Sequence, residues 1–318
     1  MARAGRHSLP PRIGSGGLVG GDQNSSSAAW QPTRFFERGC RFCASNRARY
    51  AVVNEADALE AVGFRREVVA AVEIGQRALV RAKGSLGSPA SVKDGRDVVT
   101  RADVEVEELI SDALGSPVVG EEHGGEAPID GRAYWLVDPI CGTRNYASGI
   151  PLYCVNIALV EGDEVVAGVV ADASTDEIIV AERGRGTWKC THGQVQRVTA
   201  SETSHTIVIE DGRSSGARRE HVAALVAAVI RADRWDFRSF GTTLSLPYLA
   251  TGRISAYIVA STSAPVHTAA GSLLASEAGC LLSDLDGNRW VPGSPTLLAA
   301  ATPDLHGELL ALALANRP

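Results

Sequence analysis

The chain has 318 residues, of which 45% are hydrophobic and 21% are charged, and its formal net charge at pH 7 is −6. This composition is typical of a globular protein and excludes a membrane-spanning one, because no run approaches the roughly 18 consecutive apolar residues of a transmembrane helix. The N-terminus also lacks the continuous apolar stretch of a secretion signal. We therefore expect a cytoplasmic protein without a membrane partner.

Residues 1–55 differ in composition from the rest of the chain. The first 50 residues contain eight arginines, no lysine and only two acids, Asp22 and Glu37, and glycine and serine are frequent between residues 14 and 27. Such a segment cannot bury enough apolar surface to offset the entropy lost on ordering. We predict a disordered tail over 1–55 and a folded domain over 56–318. The acidic domain shows no basic stripe with interleaved aromatic residues, so we expect no nucleic-acid partner.

Hydrophobic periodicity predicts the elements of the folded domain in chain order. Helices are expected at 64–82 and 102–114, and strands at 134–137, 154–160, 165–171 and 178–181. Further helices are expected at 218–231 and 242–250, then a strand at 254–259 and helices at 268–278 and 303–313. This alternation predicts a layered α/β domain with an N-terminal half over 56–200 and a C-terminal half over 201–318.

Three segments together resemble the motifs of a known family. They read Val-Gly-Glu-Glu-His at 119–123, Trp-Leu-Val-Asp-Pro-Ile-Cys-Gly-Thr-Arg-Asn-Tyr at 135–146, and Val-His-Thr-Ala-Ala-Gly at 266–271 followed by Glu-Ala-Gly at 277–279. In order and context they are similar to the Gly-Glu-Glu, Trp-x-x-Asp-Pro-Ile-Asp-Gly-Thr-x-Asn-Phe and Trp-Asp-x-Ala-Ala-Gly motifs of the inositol monophosphatase family of metal-dependent phosphatases. The chain resembles this family over about residues 58–313.

The resemblance implies a fold, an activity and partners. The fold is an α+β layered sandwich with an αβαβα arrangement of helices and sheets. The implied activity is that of a bacterial hydrolase for a small-molecule phosphate monoester of the sugar, cyclitol or nucleotide type. Relatives of this fold commonly pair, so the resemblance also implies a homodimer.

The resemblance further implies a set of site residues. Glu121, Asp138, the Ile140 carbonyl and Thr143 would hold a first metal ion and its water, while Gly142 and Thr143 would face the phosphate. Hard oxygen ligands of this kind suit Mg²⁺. Hydrolysis of a doubly anionic monoester needs such clustered cations and an activated water.

Two positions depart from the family pattern. The family's second metal is held by three aspartates, and the corresponding residues here are Asp138, Cys141 and His267. A thiolate and an imidazole favour Zn²⁺ over Mg²⁺. The family's sugar-contacting acid corresponds to Ala260, which argues against an inositol phosphate as substrate.

Three hypotheses fit this altered site. The first keeps phosphatase chemistry, with Mg²⁺ at Glu121 and Asp138 and Zn²⁺ on Asp138, Cys141 and His267, and it requires the fewest changes. The second involves no metal: Cys141 acts as nucleophile, His267 as base and Asp138 as orienting acid in acyl transfer, cyclisation or isomerisation. The third is a binding protein without catalysis.

Overall fold

The computed structural model describes residues 55–94, 97–115, 117–212, 214–262 and 264–317. The predicted disordered tail lies outside these ranges except for Glu55. Within them, no helix is both long enough and apolar enough to cross a membrane.

The described ranges contain helices and strands that cover most of the predicted elements. The helices are α1 Glu55–Ala61, α2 Arg66–Lys83, α3 Arg101–Leu114, α4 Thr143–Ala147, α5 Gly216–Ala232, α6 Ser245–Ala250, α7 Pro265–Glu277 and α8 Pro303–Ala315. The strands are β1 Ala90–Asp94, β2 Asp97–Thr100, β3 Val118–Gly120, β4 Tyr134–Cys141, β5 Cys154–Glu161, β6 Glu164–Asp172, β7 Ile178–Glu182, β8 Gly186–Thr191, β9 Gln194–Val198, β10 Thr206–Glu210, β11 Asp236–Arg238, β12 Ala256–Val259, β13 Leu281–Ser283 and β14 Leu297–Ala300.

Two large sheets and one hairpin are built from these strands. The seven-stranded sheet has the order β3-β4-β5-β6-β7-β8-β9 and is antiparallel except for the β3–β4 pair. The five-stranded sheet has the order β11-β10-β12-β14-β13 and is mixed. Strands β1 and β2 form a separate antiparallel hairpin.

Helices and sheets alternate in five layers, because each amphipathic helix buries its apolar face against a sheet. Helices α2 and α3 cover one face of the seven-stranded sheet through a cluster that includes Val68, Val72 and Ile110. Helix α7 covers the opposite face and, with α6, separates the two sheets. Helices α5 and α8 cover the outer face of the five-stranded sheet. The layered α+β fold and its αβαβα order, implied by the resemblance, are confirmed.

Three predicted boundaries were wrong at positions that matter for function. Strand β4 does not end at Val137 but continues to Cys141, because a bulge accommodates Pro139 within the strand. The helix expected from residue 242 begins only at Ser245. Helix α7 begins three residues earlier than expected, at Pro265, because proline is well suited to the first position of a helix.

Helix α7 packs so closely on β6 that only glycine fits at one position of that strand. A Cβ at Gly168 would lie 2.7 Å from the carbonyl oxygen of Ala270 in α7. Gly168→Ala is therefore expected to lower the free energy of unfolding by about 1–3 kcal/mol, as measured by urea denaturation. Gly307→Ala is the matched control, since Gly307 is exposed in α8 with open space around it. That variant should gain about 0.5–1 kcal/mol. Equal stability of the two variants would contradict this account of the layer contact.

Candidate active site and metal centre

A β-bulge places two of the predicted site residues on the same face of β4. Asp138 pairs with Asn156 on β5, whereas Cys141 pairs with Cys154, so three steps along β4 oppose two steps along β5. In a regular strand, residues three apart point to opposite faces. The extra residue reverses that alternation, and the Asp138 and Cys141 side chains both point toward α7.

Helix α7 brings His267 to these two side chains. His267 is the third residue of the helix, and its Nδ1 lies 2.8 Å from Asp138 Oδ2. Its Nε2 lies 3.9 Å from Glu121 Oε1. An imidazolium at a helix N-terminus is unfavourable toward the helix dipole, and the carboxylates offset this cost. The ligand atoms of Asp138, Cys141 and His267 all lie within 4.8 Å of one another.

A buried glutamate of α3 holds the segment that carries Glu121. Glu107 is 1% exposed and accepts hydrogen bonds from the backbone N–H groups of Glu122 and His123. A Cβ at Gly120 would lie 2.0 Å from Glu107 Oε1, which explains the glycine that begins the Gly-Glu-Glu motif. The segment is thereby fixed with Glu121 directed toward the cleft.

Thr143 lies beside a buried acid that sequence reasoning did not assign to the site. Its hydroxyl lies 3.2 Å from Asp103 Oδ1 and 3.1 Å from the Ile140 carbonyl oxygen. Asp103 also accepts hydrogen bonds from the N–H and hydroxyl of Thr100, the N-cap residue of helix α3. Gly142 has φ +109°, and a Cβ there would lie 3.1 Å from Thr242 Cβ, so glycine is required.

These residues meet at a cleft of about 440 Å³ between the two sheets. This volume lies within the range typical of small-molecule sites. Six of the seven predicted site residues line the cleft, and the seventh, Asp138, is fully buried behind them. The lining residues are Glu121, Ile140, Cys141, Gly142, Thr143 and His267, together with others that include Arg144, Asp211, Ser261 and Thr262.

Ala260 faces the apolar core, whereas the two residues that follow it in sequence face the cleft. It is 3% exposed and packs in the apolar cluster between the five-stranded sheet and helices α5 and α8. Its neighbours Ser261 and Thr262 line the cleft instead. The wall of the cleft formed by this segment therefore offers hydroxyl groups where the resemblance implies an acid.

The donor atoms fit a divalent cation. Glu121 Oε2 and Asp138 Oδ1 are buried, and neither has a hydrogen-bond partner among the described residues. Leaving a buried carboxylate oxygen unpaired is costly unless a cation compensates for it. Carboxylate, thiolate and imidazole together form a donor set that binds Zn²⁺ well, and Glu121 with Asp138 and the Ile140 carbonyl forms an all-oxygen set of the kind that suits Mg²⁺.

Burial has shifted the pKa values of the site. It raises the pKa of Glu121 to about 9, and the nearby Asp138 carboxylate adds to this effect. Burial raises the pKa of Asp138 to about 7 and that of Asp103 to about 6. For His267, burial alone would lower the pKa, but the Asp138 carboxylate outweighs it and raises the pKa well above its usual value. Contact with the Cys154 thiol and burial raise the pKa of Cys141.

These shifts predict that a metal ion stabilises the protein more as pH rises. Because the carboxyl pKa values of Glu121 and Asp138 are raised on folding, the unfolded chain loses these protons first, and metal-free stability falls as pH rises from about 4 to 9. The contribution of His267 to the free energy of unfolding is fully present below about pH 6.5 and is lost as the pH rises through the higher pKa of His267 in the folded state. Metal ions bind the deprotonated ligands, so affinity rises over the same window. We expect the rise in melting temperature caused by excess Zn²⁺ to be larger at pH 8 than at pH 6. A shift that is constant or falls with pH would contradict this.

Comparison with known proteins assigns the chain to a family with this layered α+β architecture. The family model for the inositol monophosphatase family matches residues 61–317. The inositol-1-monophosphatase SuhB of Mycobacterium tuberculosis is 34% identical over 281 residues, which cover 83% of this chain and 93% of that protein. The chain therefore belongs to the inositol monophosphatase family.

Two further relatives bear on fold and function. The crystal structure of the extragenic suppressor protein suhB from Bartonella henselae matches with a TM-score of 0.71 and 26% identity, over 78% of this chain and 98% of that one. A protein of Xylella fastidiosa with the name Nus factor SuhB is 34% identical over 172 residues, which cover 54% of this chain and 61% of that protein.

Proposed function

We propose that this protein is a metal-dependent phosphatase of a small-molecule phosphate monoester of the sugar, cyclitol or nucleotide type. The observation that carries the proposal is the convergence of Asp138, Cys141 and His267 within 4.8 Å of one another, beside carboxylate oxygens of Glu121 and Asp138 that have no partner among the described residues. Family membership supports phosphatase chemistry, and members of this family are generally Mg²⁺-dependent.

The two metals would share Asp138 and otherwise have different ligands. Glu121, Asp138 and the Ile140 carbonyl would hold Mg²⁺, and Asp138, Cys141 and His267 would hold Zn²⁺ or a similarly soft ion. When bound, such ions neutralise phosphate charge and acidify water. His267 would then bind as a neutral imidazole, with Asp138 fixing the orientation of its ring.

Thr143 would orient a water molecule in the cleft, and Asp103 would accept a proton from it. The Thr143 hydroxyl is placed to orient a water molecule in the cleft, and the Asp103 carboxylate, 3.2 Å away, is placed to accept a proton through that hydroxyl. A base with a pKa near 6 is largely ionised at neutral pH, which suits this role. Gly142, without a side chain, lets a phosphate approach the backbone of this turn.

The nucleophile hypothesis has one observation in its favour and two against it. The contact between His267 and Asp138 resembles a base held by an orienting acid. However, Cys141 is 8% exposed and its pKa is raised. A reactive cysteine requires an exposed sulfur with a lowered pKa. We therefore rank this hypothesis second.

Phosphate release from a panel of sugar, nucleotide and inositol monophosphates tests the proposal. The metal-free full-length protein would be assayed with Mg²⁺, Zn²⁺, Mn²⁺ or no added metal, alongside iodoacetamide labelling of each cysteine. Metal-dependent turnover of at least one monoester with slow labelling of Cys141 is the expected result. Rapid labelling of Cys141 without turnover in any metal would favour the nucleophile hypothesis, and slow labelling without turnover would favour a binding protein. Either outcome would overturn the proposal.

A further inference from the structure

The loop before α6 brings two threonines against Cys141. Thr242 Oγ1 donates a hydrogen bond to the Cys141 carbonyl oxygen at 2.8 Å. Thr243 Oγ1 lies 2.9 Å from Cys141 Sγ, and the Thr243 backbone N–H donates to the same sulfur at 3.4 Å. Two donors from one residue therefore point at one sulfur atom. Neither threonine belongs to the ligand set described above.

The direction of the Thr243 hydroxyl proton follows from its other partner. Asn156 Nδ2, which can only donate, lies 3.1 Å from Thr243 Oγ1 and 3.3 Å from Asp138 Oδ2. The amide orientation of Asn156 is supported by Cys154, whose Sγ lies 3.9 Å from Asn156 Oδ1. The Thr243 oxygen thus accepts from Asn156, and its own proton is donated to Cys141 Sγ at 2.9 Å rather than to Cys154 Sγ, which is 3.9 Å away.

The loop that carries Thr243 is itself held in place from two sides. The buried Glu210 carboxylate accepts hydrogen bonds from the N–H groups of Phe240 and Gly241 and from the Ser239 hydroxyl. Asn145 Nδ2 donates to the Phe240 carbonyl oxygen at 2.7 Å. A rigid loop is needed if a hydroxyl is to fix the position of a ligand atom.

We propose that Thr243 is a positioning residue that holds the Cys141 sulfur as a hydrogen-bond acceptor and so prepares it to bind a soft divalent cation as a thiolate. The proposal rests on the metal site of the proposed function. Hydrogen bonds to a ligand atom fix its orientation toward the ion. Thr243 thereby favours binding of Zn²⁺ through sulfur without touching the ion.

Metal affinity and a spectroscopic signature test this role. Zn²⁺ binding by the full-length protein would be measured by competition with a chromophoric chelator, and Co²⁺ would be used as an absorbing substitute with a sulfur-to-cobalt charge-transfer band. Thr243→Val keeps the side-chain volume but removes the hydroxyl. We expect this variant to bind Zn²⁺ about 10- to 100-fold more weakly, the range typical of lost contacts to a metal ligand. Its charge-transfer band should move to longer wavelength, because a sulfur without its donor gives up charge more readily.

Two control variants separate this role from a structural one. Thr243→Ser restores the hydroxyl and should keep Zn²⁺ affinity within about threefold of wild type, since the hydrogen bond is retained. Thr187→Val removes another buried hydroxyl, which donates to the Leu274 carbonyl oxygen, and should leave the band unchanged. If Thr243→Val does not fold, Thr243→Ala removes the same hydroxyl.

Two results would overturn the proposal in distinguishable ways. Unchanged affinity and an unmoved band in Thr243→Val would refute the role of Thr243 while leaving the metal site intact. A wild-type protein that hydrolyses phosphate monoesters but shows no sulfur-to-cobalt band would refute sulfur ligation, and the role of Thr243 with it, while phosphatase function stands.

Discussion

Replacing both Cys141 and His267 with aspartate is expected to shift the enzyme toward magnesium. The double variant surrounds the site with carboxylates, and hard oxygen ligands favour Mg²⁺ over Zn²⁺. Mg²⁺-dependent phosphate release should rise at least about 10-fold over wild type, the lower end of the effects seen when a metal's surroundings change. Zn²⁺ affinity should fall, because the thiolate and imidazole are gone. Steady-state phosphate release in each metal measures the first effect and equilibrium dialysis the second.

The single variants serve as controls for this exchange. Cys141→Asp alone leaves His267 on the Asp138 carboxylate and should show only part of the gain in Mg²⁺. Cys280→Asp would introduce a carboxylate at another buried cysteine, one that does not line the cleft, and should give no gain. A double variant that folds but remains as dependent on Zn²⁺ as wild type would contradict the assignment of these two side chains as metal ligands.

Asp138→Asn is expected to abolish activity and to weaken the metal-free fold. Asp138 is shared by both proposed metal sets, so its loss should lower phosphate release by at least about 1,000-fold, comparable to the loss of a principal catalytic group. In metal-free protein the same change removes a fully buried carboxylate whose pKa is raised to about 7. The carboxylate pairs with the His267 imidazole at 2.8 Å, and removing one partner of a buried ion pair costs about 3–5 kcal/mol.

The two effects are measured separately. Phosphate release is assayed in saturating metal, and the melting temperature of chelator-treated protein is recorded at pH 8, where the Asp138 carboxylate is ionised and paired with His267. An unchanged metal-free melting temperature would contradict this ion pair. Glu210→Gln is a suitable comparison, because Glu210 is also a buried acid but is fully engaged with the loop at 239–241. That variant should lose stability in the metal-free state.

The proposed metal ligands could be identified from sequence, because each occupies a recognisable motif. The positions of these ligands relative to one another could not be predicted. The side chains of Asp138 and Cys141 point the same way only because of the bulge at Pro139, and a bulge leaves no signature in hydrophobic periodicity. The same proline made strand β4 look as if it ended at Val137.

The supporting residues were hidden for another reason. Thr243 is distant in sequence from Cys141, and Asn156 lies on the next strand, β5. The sequence predicts each of them only as a helix or strand residue with no role at the site. Thr243 was predicted to be helical, but its hydroxyl and N–H are engaged with Cys141 instead, and the helix starts at Ser245. The one available signal was for Asp103, since Thr100 and Asp103 have the spacing of a helix capping box.

Several short strands were missed, and incomplete burial explains two of these cases. Strand β9 is only partly buried, so it lacks the apolar run that marks β5 or β6. The hairpin of β1 and β2 is likewise exposed for much of its length, although Lys93 on it donates hydrogen bonds to the Glu121 carbonyl oxygen and to the Glu122 carboxylate. Contacts of this kind are decided by tertiary structure rather than by local pattern.

X-ray absorption at the zinc edge tests the central claim most directly. Metal-free full-length protein would be loaded with one equivalent of Zn²⁺, and the Zn–ligand distances would be measured for wild type and Cys141→Ser. We predict one sulfur at about 2.3 Å and nitrogen or oxygen ligands at about 2.0–2.2 Å in wild type, with the sulfur absent in the variant. A zinc ion coordinated only by nitrogen and oxygen in wild type, or a sulfur ligand that persists in Cys141→Ser, would contradict the assignment of Asp138, Cys141 and His267 as a metal centre.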